Sequence, residues 1–178
     1  AADSLAKVVQ STPAASDSLI RTASASETIK LQNDRIQVSF ETLGASISSV
    51  ELNDFTWAKE QRKVNLIPEN ESVAGIRLLS GAGDKDLRTL NWFHEAQPDS
   101  HRVRFYLGDS TNPIVEKIYT LDGGYGITLD VSVSSPQAVN GIEYDFSAGI
   151  ADSEITKDRT KGTEYKLIVY AGNDDTKT

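Results

Sequence analysis

From Thr28 onward, apolar residues recur at every second position. Ile36, Val38 and Phe40 alternate with Arg35, Gln37 and Ser39, and Val103, Phe105 and Leu107 alternate with Arg102, Arg104 and Tyr106. Ile127, Leu129, Val131 and Val133 alternate with Thr128, Asp130, Ser132 and Ser134, and Ile142, Tyr144 and Phe146 alternate with Glu143, Asp145 and Ser147. Successive side chains of a strand point to opposite faces, so each run predicts a strand that buries one face and wets the other. This is the antiparallel pattern, since parallel strands covered on both faces read as continuous apolar runs. Turn residues separate the runs: Asn33-Asp34, Gly44, Asp122-Gly123-Gly124, Ser135-Pro136 and Asn140-Gly141. At Asp122-Gly123 the expectation is a tight hairpin with a residue at positive φ. The count is about ten strands with no convincing internal helix, which predicts an all-β antiparallel sandwich or barrel. Between Ala45 and Leu52 the apolar phase slips, with Ile47 on the opposite face from Val50 and Leu52. A bulge near Ser48-Ser49 restores it.

Residues 1–27 differ from the rest. Ala, Ser and Thr dominate, and the large apolar residues are few: Leu5, Val8, Val9, Leu19 and Ile20. Such a stretch cannot offset its ordering entropy and reads as a flexible linker, the alternative being a short helix from Ser16 to Thr22. The division expected is therefore a linker over 1–27 and a β domain over 28–178. The chain has no cysteine, which excludes disulfides and thiolate metal sites, and no methionine, which points to processing or excision from a longer protein. No apolar run approaches the ~20 residues of a membrane helix. The net charge of -8 opposes nucleic-acid binding, and the basic residues (Arg62-Lys63, Arg102, Arg104, Lys157, Arg159, Lys161) are scattered.

Two segments carry a resemblance. Ile29 to Leu52 reads as Asn33, an alternating strand, Gly44, and a strand ending apolar. It resembles the opening hairpin of the large periplasmic domain of the YidC membrane protein insertases. Val115 to Val133 resembles that domain's Lys117-Tyr119-Thr120 strand, its Gly-rich turn at Asp122-Gly123-Gly124, and its return strand led by Tyr125. Asn65-Leu66-Ile67 stands where the family has a short apolar strand. The resemblance implies a twisted β-sandwich of the galactose-mutarotase type (a supersandwich) on the periplasmic face of the bacterial inner membrane. It also implies a membrane-embedded insertase core downstream of Thr178. The familiar domain is longer, so this chain is either a reduced or a truncated version of it.

The sandwich fold implied by that resemblance also hosts sugar epimerases, which use a carboxylate base and an imidazole acid. The histidines here are His94 and His101. His94 adjoins Glu95, but adjacent strand residues face opposite ways, and the epimerase motifs around His are missing. Gly44-Ala45-Ser46-Ile47-Ser48 ends in Ser where a nucleophile elbow needs Gly. Gly81-Ala82-Gly83-Asp84-Lys85-Asp86 lacks the spacing of a phosphate loop. Glu143 and Asp145 share a strand face but are too few for a metal, and Asp174-Asp175 reads as a solvated end. Phe55, Trp57, Trp92 and Phe93 are the aromatics available for a ligand surface, with Trp57 the better exposed candidate. The reading is thus a non-enzymatic domain with no catalytic, cofactor-binding or metal residues and no cofactor. It is expected to act as a spacer and docking surface for Sec translocon components and client membrane proteins. The alternatives are a carbohydrate-binding or epimerase-like envelope domain and a generic envelope lipoprotein domain.

Overall fold

The computed structural model describes residues 22–57, 61–97, 101–134, 138–148 and 151, together with the backbone of Tyr170–Ala171 and Asp174–Asp175. Among them there is no helix, and thirteen strands form. These are β1 (Thr28–Gln32), β2 (Ile36–Glu41), β3 (Ser46–Thr56), β4 (Lys63–Asn65), β5 (Gly75–Leu79), β6 (Lys85–Asp86) and β7 (Phe93–Gln97). There follow β8 (Arg102–Gly108), β9 (Pro113–Leu121), β10 (Ile127–Val133), β11 (Gly141–Asp145), β12 (Tyr170–Ala171) and β13 (Asp174–Asp175). The sheets are ordered β1-β2-β3-β4, β10-β9-β8-β7 and β11-β5-β6, with β12 and β13 a separate two-stranded ribbon. Every pairing is antiparallel, as the two-residue alternation requires. The predicted leader, including the helix alternative at Ser16 to Thr22, lies almost wholly outside the described residues.

The two four-stranded sheets meet face to face. Ile36, Val38 and Phe40 on β2 are fully buried, as are Val103, Phe105 and Leu107 on β8. The Phe40 ring lies 4.8 Å from Tyr119 and 6.1 Å from Phe105, and Phe105 meets Tyr119 edge-on at 6.0 Å. Burying side chains of this size contributes about 1.5–3 kcal/mol each, so the alternating faces are what close the sandwich. The predicted bulge is present: Ser39 pairs with Ser49 and Phe40 with Ile47, which leaves Ser48 as the extra residue. Its hydroxyl donates to the Glu41 carboxylate at 3.1 Å. The slip lets Ile47 pair with Val73 at the border of the third sheet while Val50 turns to the core.

Four expectations need correction. The apolar face of β10 is half-buried rather than buried, because β10 is the outer strand of its sheet among the described residues. On β11 the phase holds at half-buried Ile142 and exposed Glu143 and then breaks: Tyr144 and Phe146 are exposed while Asp145 is half-buried and bonded by Arg88 at 2.7 Å. The short strand near Asn65 ends there instead of continuing through Ile67, because the Asn65 side-chain carbonyl accepts from the N–H groups of Val50 and Ile67 and turns the chain. The turn after β9 contains no residue at positive φ. Asp122 builds it instead, its carboxylate accepting from the N–H groups of Gly124 at 2.7 Å and Gly126 at 3.0 Å. A Cβ on Gly126 would collide with that carboxylate, which the N–H groups of Gly124 and Gly126 hold in place.

Asn33 joins the two sheets at this end. Its side-chain oxygen accepts from the N–H groups of Arg35 and Ile36, both at 2.8 Å, shaping the β1–β2 turn. Its amide nitrogen donates to the carbonyls of Asp122 at 2.6 Å and Gly124 at 2.9 Å, across the sandwich. Asn33→Ala removes both sets at once. It is expected to cost about 1–3 kcal/mol, because the turn and the inter-sheet link are lost together. A urea-unfolding midpoint indistinguishable from the parent's would contradict this role.

Candidate functional site

Along its length, β9 turns Val115, Lys117, Tyr119 and Leu121 toward the core. Lys117 is a fully buried lysine in that row. Its Nζ donates to the carbonyls of Gly44 at 3.1 Å, Ala45 at 2.9 Å and Ala74 at 2.6 Å. The Tyr119 hydroxyl donates to the same Ala45 carbonyl at 2.7 Å. The Trp92 ring centroid lies 5.4 Å from Nζ and that of Tyr119 lies 6.0 Å away, so the cation rests against aromatic faces as well. Each residue supplying a carbonyl is left-handed, with φ of 71° at Gly44, 46° at Ala45 and 64° at Ala74. Two of them are alanines, for which that conformation costs about 1–2 kcal/mol. Burial pushes the Lys117 ammonium down to about 7 and the Tyr119 phenol up beyond its ordinary range.

A pocket of about 310 Å³ is lined by Gly44, Ser46 and Gly75, which belong to or adjoin the segments that Lys117 holds, and by Glu41, Arg88 and Asp145. Arg88 holds Asp86 through two bonds, Nε at 2.8 Å and Nη2 at 2.7 Å, and reaches Asp145 with Nη1 at 2.7 Å. Its stem lies on Gly75, where a Cβ would come within 2.8 Å of Arg88 Cγ. The Arg88 carbonyl oxygen would likewise meet a Cβ on Gly44 at 2.8 Å, so backbone packing there requires glycine. The bond from Arg88 holds the Asp86 carboxyl down at about 2. The Ser147 hydroxyl and N–H, followed by Arg88, hold Asp145 at about 2. Glu41 accepts from the hydroxyls of Thr28 at 2.9 Å and Ser48 at 3.1 Å.

The residues singled out from sequence scatter around this site. His101 lies at the tip of the β7–β8 hairpin with φ of 50°, whereas His94 lies near the hairpin's base, 3.9 Å from the Glu27 carboxylate. Glu95 turns away from it to Arg104 at 3.1 Å. Ser46 donates its hydroxyl to the Leu43 carbonyl at 3.0 Å, and the Gly81–Gly83 segment is a turn beside β5. Glu143 pairs with Arg77 at 3.3 Å and Asp145 with Arg88, so the two carboxylates do not converge on one point. No group of three or more potential metal ligands occurs among the described residues. Trp92 is core, Phe93 stacks on Tyr106 at 5.4 Å, and Phe55 is half-exposed. Trp57, expected to be the better exposed aromatic, is half-buried beneath the Arg62 guanidinium at 4.6 Å. Asp174-Asp175 forms a strand whose side chains lie outside the described residues. Lys117 and Arg88 were not among the sequence candidates. The available signal was the phase of β9, which places Lys117 in register with Val115 and Tyr119.

Two antiparallel sheets closed over an aromatic core, with a lysine tied into the seam, define an all-β sandwich domain. The chain belongs to the YidC periplasmic domain family, which it matches over residues 28–173. It is thereby assigned to the periplasmic part of a YidC-type membrane protein insertase. Among the described residues no helix is long and apolar enough to cross a membrane. No curated protein and no solved structure matches the chain. The two segments that carried the resemblance are the two that touch through Asn33 and again through Lys117 and Tyr119.

Two consequences are measurable. Lys117→Met keeps a chain of similar length but takes this donor from the Gly44 and Ala74 carbonyls, while Ala45 keeps its bond from Tyr119. At about 1–3 kcal/mol for each of the two, the loss is expected to reach about 2 kcal/mol or more by chemical denaturation. A cost below about 1 kcal/mol would mean that the carbonyls find other partners. The second concerns acid. Asp86 and Asp145 have folded-state values of about 2, below the unfolded ~3.9, so the unfolded chain binds more protons between these limits. Their contribution is present above about pH 4 and is lost as the pH falls toward 2. Arg88→Gln is expected to flatten the fall of the urea midpoint across that window, and an unchanged slope would contradict the assignment.

Proposed function

We propose that this domain is a non-catalytic accessory of a YidC-type inner-membrane insertase, a spacer and docking surface on the periplasmic side. In this reading residues 1–27 tether the sandwich to a preceding membrane segment, and the insertase core follows Thr178. The sandwich is a supersandwich of the galactose-mutarotase type. The partners are Sec translocon components and segments of client membrane proteins. The observation that carries the reading is the family match over residues 28–173.

Among the described residues β10 has a strand partner on one side, β9, and this supports the docking part. The Ser134 N–H donates to the Ile114 carbonyl and the Asp122 N–H to the Gly126 carbonyl, so even-numbered residues of this hairpin bond toward β9. By the alternation of antiparallel ladders, the backbone groups of Ile127, Leu129, Val131 and Val133 point away from it. The β9–β10 register runs without a bulge over seven residue pairs. A straight outer strand of this length is suited to strand addition by an extended segment. The test is made in the intact insertase. Deleting residues 28–178 is expected to leave most insertion activity, and a photo-crosslinker at Thr128 is expected to capture protein partners that one at Lys63 does not. Complete loss of insertion in a stably expressed deletion variant would contradict the spacer role, and equal capture at both positions would contradict docking at β10.

A further inference from the structure

The Lys117 amine has a donor count matched by its surroundings. An ammonium carries three donors and no acceptor, and the fold presents three carbonyl oxygens within 2.6–3.1 Å. A neutral amine has two donors and a lone pair, and that lone pair would face a carbonyl lone pair. Two opposed forces therefore act on one proton. The carbonyl dipoles retain it, while burial of a cation without a counter-ion expels it.

The groups around the nitrogen leave this balance undisturbed by other charges. On β9 the titratable neighbour is the Tyr119 hydroxyl, which shares the Ala45 carbonyl and is itself influenced by Tyr144 of β11. The cross-strand partners of Lys117 are Phe105 on β8 and Val131 on β10, both apolar. Trp92 contributes a ring face. The Arg88 backbone packs on Gly44, but its guanidinium is engaged by Asp86 and Asp145. Burial is the cause of the lysine's shift, with no charged partner contributing.

We propose that Lys117 is a proton-operated tie: protonated, it holds the Gly44–Ala45 turn and the Ala74–Gly75 segment against β9, and on losing a proton it keeps two donors for three carbonyls, lets one of them go and loosens the pocket lining beside it. The segments it holds are the strained ones, since Ala45 and Ala74 are left-handed without being glycine. The pocket lining adjoins them in the chain through Gly44, Ser46 and Gly75. Burial lowers the ammonium toward about 7 while the three carbonyls hold the proton, so release falls below the 10.5 of a free lysine. The domain then has a pocket that is set in one state and slack in the other without unfolding the sandwich.

The 178-residue chain carries two tryptophans, so Trp57→Phe leaves Trp92 as the reporter beside the amine. The protein is titrated from about pH 6 to about pH 10, across the gap between the buried and free lysine values. Readouts are the Lys117 Cε chemical shift, Trp92 emission and the amide signals of Gly44, Ala45 and Gly75. The expected result is one shared transition with unchanged circular dichroism, and its disappearance in Lys117→Met. Three results would overturn the proposal. The Lys117 carbon titrates while the three amides stay still; the amides shift without it or persist in shifting in Lys117→Met; or Lys117 stays charged until the whole sandwich unfolds. If Lys117→Met does not fold, the titration of the parent alone decides between these outcomes.

Discussion

An ammonium sealed in the seam between two sheets, with no counter-ion among the residues touching it, is the constraint around which this domain is arranged. Transferring such a charge from water costs several kcal/mol even after the protein relaxes. Three charge-assisted bonds at about 1.5–3 kcal/mol each offset that cost, provided that all three carbonyls are held in place. Gly44, Ala45 and Ala74 meet the requirement only by adopting left-handed backbone. The β2–β3 turn and the approach to β5 are thus shaped by a side chain on β9. The lysine needs the strained turns to be stable, and the turns need the lysine to remain strained.

The same pairing of hairpins is secured a second time by Asn33, which grips the Asp122 and Gly124 carbonyls. With these two links and the Phe40, Phe105 and Tyr119 rings, the β1–β3 and β8–β10 segments behave as one block. The third sheet joins this block through Ala74 and through Arg88, whose guanidinium spans β6 and β11. The proposed spacer and docking role draws on this block, in which β10 is the outer strand of its sheet among the described residues. Arg35, Arg77, Arg88 and Arg104 each pair with carboxylates of the domain.

Much of this was legible in the alternation of residues. The buried rows of β2 and β8 follow the two-residue period directly, and the bulge at Ser48 follows from the phase slip between Ile47 and Val50. What was hidden depended on partners remote in sequence. Lys117 occupies an inward position of β9, but a charged residue in such a row is ordinarily read as facing water, and its acceptors lie 43 to 73 positions away. On β11 the period would bury Tyr144 and expose Asp145, yet Asp145 is half-buried and bonded by Arg88, 57 positions earlier. The pocket is lined in part by Glu41, Arg88 and Asp145, which no local motif connects. Family resemblance located the two hairpins that make the tie, whereas the tie itself appears only when they are brought together.

The central claim is that a charged Lys117 bonds three carbonyls at once. The most direct measurement is nitrogen-detected NMR of its Nζ in the folded chain below neutral pH, including couplings across the hydrogen bonds to the carbonyl carbons. The account predicts an ammonium whose protons exchange slowly with water and couple to Gly44, Ala45 and Ala74. A neutral amine under those conditions, or rapidly exchanging protons with no such couplings, would contradict it.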